Sequence, residues 1–141
     1  MTREEVSAVL AQRGDAWARR DWAAMGDLYS ETARVDSPFA GNVSGREAIV
    51  RASEAFFNAF PDAEINEDSP TIDGDRAAIV AEMVGTHEGE ILGLAPTGRP
   101  FRIPMAFILM LQDGKIVYER RIYDFTGLLV QIGVLKAKPV G

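Results

Sequence analysis

Asp113-Gly-Lys-Ile-Val-Tyr-Glu-Arg-Arg-Ile-Tyr-Asp-Phe-Thr-Gly-Leu-Leu-Val-Gln-Ile-Gly133 opens on a turn dipeptide, runs through a strand carrying both signs of charge, and closes in an apolar segment. Asp-Gly between apolar runs is a hairpin signal. Side chains alternate across a strand, so Tyr118, Arg120 and Ile122 share one face and Glu119, Arg121 and Tyr123 the other. Neither set reads as plain core. A carboxylate and a guanidinium must therefore point toward whatever this strand covers. A cavity there would be a chemical site; solvent there would suit a binding or scaffold domain.

Upstream, helices come first. Thr2 with Glu5 forms a capping-box pattern, and Val6, Val9, Leu10, Arg13 and Trp17 follow at helical spacing. Asp21 caps a second helix through Met25, Leu28 and Tyr29. Thr32–Pro38 is extended, and residues 41–45 read as a loop. Ser44 with Glu47 resembles a cap for a third helix carrying Ile49, Val50, Phe56, Phe57 and Phe60, which stops before Pro61. Strands follow: Ala63–Glu67, a long one from Arg76 to about Leu92 that bends near Gly85, the apolar Phe101–Leu111, and the charged strand. Helices followed by an antiparallel sheet predict an α+β fold, a curved sheet closed by three N-terminal helices into a cone that can enclose a ligand. The whole chain, 1–141, reads as a single domain.

Composition excludes several classes. The chain has no cysteine, hence no disulfide, thiolate nucleophile or cysteine metal site. A single histidine, His87, gives no metal cluster, and strand parity turns it outward. The net charge of −6 argues against nucleic acid, whose binding rests on Lys and Arg against phosphate. No apolar run approaches the roughly 20 residues of a membrane span. The charged start Met-Thr-Arg-Glu-Glu-Val lacks the apolar region of a signal peptide, and the expected setting is the cytoplasm.

Four motifs together carry a family resemblance: Trp17 to Leu28, Gly45-Arg46-Glu47-Ala48-Ile49, Gly93-Leu94-Ala95-Pro96-Thr97-Gly98-Arg99, and the terminal Asp-Gly-Lys-Ile, Asp-Phe and Gln-Ile-Gly. In this order and spacing they resemble the SnoaL-like polyketide cyclases, within the nuclear-transport-factor-two-like superfamily; limonene epoxide hydrolases look similar over two of them. The resemblance implies a small-molecule pocket, a homodimer, and acid/base chemistry without cofactor or metal. It also places the family's catalytic aspartate at Arg121, which stays protonated and cannot act as a base. The second carboxylate of the epoxide hydrolases falls on Glu90, and the cyclases' pocket histidine on Phe107. Ser37 and Gly14 stand where related isomerases keep an acid and a tyrosine.

Two readings follow. In one, the chain is an enzyme for cyclisation, isomerisation or epoxide opening on an apolar polyketide-, terpenoid- or steroid-like molecule. Glu90 and Glu119 serve as acid/base, and Arg121 anchors the substrate or its oxyanion. In the other, it is a binding or assembly domain whose old site Arg121 fills. Trp17, Tyr29, Phe39, Phe56, Phe60, Met105, Phe107 and Tyr123 are core or pocket lining; as lining they suit a flat apolar ligand. Asp124 reads as a structural cap after the charged strand.

Overall fold

A computed structural model describes residues 1–136. Helix α1 (Arg3–Arg19) begins at the expected capping box, with Thr2 accepting from the Glu5 amide. It buries Val6, Val9, Leu10, Arg13 and Trp17 along one stripe. Helix α2 (Trp22–Asp27) is capped by Asp21, which accepts from the Ala24 amide at 3.0 Å. Tyr29, expected in that helix, instead opens strand β1 (Tyr29–Ser37), because the Leu28 carbonyl is taken by the Ile116 amide at 2.8 Å. Residues 41–44 are not loop but strand β2 (Gly41–Ser44), paired antiparallel to β1. Helix α3 (Arg46–Ala59) therefore follows a hairpin, and its cap is Gly45, which has no side chain to offer, rather than Ser44.

Strands β3 (Glu64–Glu67), β4 (Thr71–Asp73), β5 (Arg76–Thr86), β6 (Pro100–Gln112) and β7 (Lys115–Tyr123) complete the sheet. The order is β2-β1-β7-β6-β5-β3, with β4 also on β5. One correction concerns direction: β1 runs parallel to β7, so the sheet is mixed rather than wholly antiparallel. Register shifts at Tyr29/Arg34 and Met110/Leu111 mark bulges, which bend strands and curve a sheet. Odd-numbered residues of β5 and β6, such as Ile79, Met83, Met105, Phe107 and Leu109, face the helices and are buried. Each such large side chain contributes roughly 1.5–3 kcal/mol by leaving water. The short helix α4 (Phe125–Gln131) follows Asp124, whose carboxylate accepts from the Gly127 amide at 2.8 Å, as a cap should. No helix among the described residues is long and apolar enough to cross a membrane.

The long strand ends at Thr86 rather than near Leu92. Beyond it the chain crosses the end of α3, where the amides of Glu88 and Gly89 both bond the Ala59 carbonyl. A Cβ at Gly89 would lie 2.0 Å from the Asn58 carbonyl oxygen, so this crossing requires glycine.

Candidate functional site

Strand β7 brings Glu119, Arg121 and Tyr123 to the inner face, where α1 and α3 lie over them. Glu119 is fully buried. Its Oε1 accepts from Arg13 Nε at 2.8 Å and from the Tyr29 hydroxyl at 2.6 Å; its Oε2 accepts from Arg121 Nε at 2.5 Å. Arg121 also donates from Nη1 to the Ser53 hydroxyl at 3.2 Å. Its side chain is 12 % exposed, while that of Arg13 is fully buried. The Arg13 guanidinium lies 3.9 Å from the Trp17 ring and 4.4 Å from the Phe107 ring, and Arg121 lies 5.1 Å from Trp17. Two buried cations thus share one buried carboxylate, and the aromatic faces take part of the remaining charge.

The electrostatics follow from that geometry. Burial alone would raise the Glu119 pKa, but Arg13 and Arg121 outweigh it and hold the carboxyl at about 2. Glu119 is therefore ionised and a poor base, since its oxygens are committed to three donors. Burial and the neighbouring carboxylate push the Tyr29 phenol up to about 12. Burial likewise raises Tyr123 to about 12. Both phenols stay neutral donors at ordinary pH. Not every donor is satisfied: Arg13 Nη1 and Nη2, Arg121 Nη2 and Trp17 Nε1 are buried without a hydrogen-bond acceptor. Such groups are costly to bury unless water or another acceptor meets them.

Arg121 borders an interior cavity of about 30 Å³, enough for little more than a water molecule. Of the residues read as pocket lining, Trp17, Phe39, Phe56, Met105, Phe107 and Tyr123 surround it, together with Ser37 and Ser53. Phe39 packs edge-on against Phe56 at 5.4 Å and Phe125 at 5.8 Å, which closes this end. Tyr29 and Phe60 are not in the lining. Tyr29 belongs to the Glu119 cluster, and Phe60 packs against Phe101 at 4.7 Å.

Glu90 does not face Arg121. It is exposed in the segment after β5, and the partner of Arg121 is Glu119. Neither Glu90 nor His87 lies where a strand running on to Leu92 would put it. The strand stops at Thr86, and its even positions point outward, as the exposed Glu82–Arg102 pair shows. His87, expected outside, is fully buried, its Nδ1 accepting from the Thr97 amide at 3.1 Å. The member of this buried cluster absent from the expected set is Arg13. Its signal was present: an arginine in the apolar stripe of α1 must find a buried anion. Among the described residues no group of His, Asp and Glu is arranged to hold a metal ion.

Three comparisons place this geometry among known proteins. The sequence profile of the SnoaL-like polyketide cyclase family matches residues 8–132. The aklanonic acid methyl ester cyclase AcmA of Streptomyces galilaeus is 41 % identical over 58 residues, which span 41 % of this chain and 39 % of that protein. The match thus covers about two fifths of the curated relative. The crystal structure of AclR, a candidate hydroxylase of the same organism, superposes with a TM-score of 0.83 and 28 % identity over 98 % of this chain and 87 % of that one. That of a candidate polyketide cyclase of Xanthomonas campestris pv. campestris gives a TM-score of 0.85 at 19 % identity, over 93 % and 98 %; it speaks for the fold alone. The chain belongs to the SnoaL-like polyketide cyclase family and has the α+β fold of nuclear-transport-factor-two-like proteins.

Proposed function

We propose that this chain is a small-molecule enzyme that uses its own side chains to polarise the carbonyl of an apolar, enolisable substrate, in a cyclisation or isomerisation. The observation that carries this reading is the Arg121 Nη2 donor, buried, unpaired and beside an aromatic-lined cavity. A cation in a water-poor site stabilises an enolate oxygen far more than water does. Trp17, Phe56, Phe107 and Tyr123 would hold a flat apolar body. No lining carboxylate is free to take the carbon-bound proton, so Arg121 acts by lowering the acidity barrier and the proton leaves to water. Epoxide opening, which in similar enzymes uses a water between two carboxylates, has no matching pair here.

The test is deuterium exchange at the central carbon of 1-phenylbutane-1,3-dione, followed by proton NMR. Wild-type protein should accelerate exchange, and Arg121→Met should lose at least about tenfold, the loss of about 1.4 kcal/mol of oxyanion stabilisation. Equal rates would remove Arg121 from the chemistry. The small cavity and the Glu119 and Ser53 bonds favour a second reading, in which Arg121 plugs a lost site in a binding or assembly domain. In that case wild-type protein produces no acceleration at all.

We also infer a homodimer through the outer sheet face. There Val80 (59 % exposed) and Ile122 (45 %) lie in register on either side of Ala106, and Ile108 (39 %) lies two residues along the middle strand, an apolar patch on three adjacent strands.

A further inference from the structure

The Arg13 guanidinium is used on one side only. Its Nε serves Glu119, but Nη1 and Nη2, at the far end of the planar group, have no hydrogen-bond acceptor although the side chain is fully buried. The nearest carboxylate there is Glu67, at 3.8 Å from Nη1, beyond hydrogen-bond reach. Glu67 is 20 % exposed and lies in the wall of a second space. This is a groove of about 500 Å³ between α1 and β3, lined by Gly14, Trp17, Phe57, Ile65 and Glu67 among others. Its volume is that of a small-molecule site. Burial raises the Glu67 pKa against the opposing pull of Arg13, as expected of a loosely held carboxylate.

We propose that the α1–β3 groove binds a monocarboxylic acid with a flat apolar body, its carboxylate seated bidentate on Arg13 Nη1 and Nη2 in the place Glu67 occupies. A planar fork meeting a planar carboxylate is the strong form of this interaction. The groove favours one negative charge and no more. The Arg20 guanidinium beside it already donates to the carbonyls of Trp17, Pro61 and Ala63. Asp62, Glu64 and Glu67 also line the groove, so a dianionic phosphate would meet three carboxylates there while the Arg20 donors are held by carbonyls. The apolar body would lie against Trp17, Phe57 and Ile65. These three side chains also form part of the wall of the interior cavity, so the groove and the Arg121 space back onto one another. The proposal concerns a different guanidinium from the one given the carbonyl, and stands without that chemistry.

Calorimetric titration at pH 7 with benzoate and with its neutral isostere benzamide tests it. Wild-type protein should take benzoate at least about tenfold more tightly than benzamide, the worth of one charge-assisted contact. Glu67→Gln removes the competing anion and should tighten benzoate several-fold while leaving benzamide unchanged. Arg121→Met should leave benzoate binding as it was. Equal affinity for the two probes, or benzoate affinity unchanged or weakened in Glu67→Gln, would overturn the proposal. Loss of benzoate in Arg121→Met would overturn it too, by moving the anion to the interior cavity.

Discussion

Glu119 accepts from Arg13, Tyr29 and Arg121 in a space closed to water, and its behaviour with pH follows from those bonds. Its pKa falls from the ordinary 4.5 to about 2 in the fold. A depressed carboxylate contributes stability that is complete above its unfolded pKa and is lost as pH falls through the folded one. That contribution, roughly 3 kcal/mol, should be constant from pH 7 to about 5 and disappear between about 4.5 and 2. Urea midpoints across that range read it directly. Glu119→Gln should be several kcal/mol less stable at pH 7, because two guanidinium groups lose their anion, and should lack this acid limb. An unchanged acid limb would assign the loss to other carboxylates. At this scale much was legible. Alternation along β7 places Glu119, Arg121 and Tyr123 together from the sequence alone, and Arg13 stands out as a charge in an apolar stripe. The Glu90 position was not legible, because the end of β5 depends on the close crossing of Gly89 over α3, a contact between distant parts of the chain.

Among the elements, the sheet decides both what is enclosed and what is left open. Helix α1 announced itself by its capping box and apolar spacing, and α3 by apolar spacing alone. Strand β1 did not: Tyr29 continues the helical spacing of α2, and only the parallel partner β7 draws it into the sheet. Parallel pairing between strands so far apart in sequence leaves no local signature. The outer face carries the dimer proposal. Val80 and Ile122 flank Ala106 in register, and Ile108 lies between Ala78 and Arg120. Ile122→Glu places a carboxylate in that patch without touching the inner face. Light scattering should show a dimer for the wild type and a monomer for the variant, with the far-ultraviolet circular dichroism unchanged. A wild-type monomer, or a variant dimer, would remove this face from assembly.

For the whole molecule the decisive relation is between a tightly filled interior and the unused donors within it. The interior cavity is about 30 Å³, far below a ligand site of several hundred, so a guest there must displace the aromatic side chains at the closed end. Phe39 lines that cavity and packs edge-on against Phe125. The family and the fold were readable from motif order; the closure was not, because it depends on how Phe39 and Phe125, far apart in sequence, come together. In the proposed chemistry Arg121 presents a cation to an oxygen bound inside. The most direct measurement is the absorbance titration of 4-nitrophenol with and without protein, since its phenolate mimics an enolate and its colour reports ionisation. The bound phenol should ionise at lower pH than the free one, and Arg121→Met should abolish the shift. An unshifted titration, a shift that survives Arg121→Met, or no binding at all would contradict the claim.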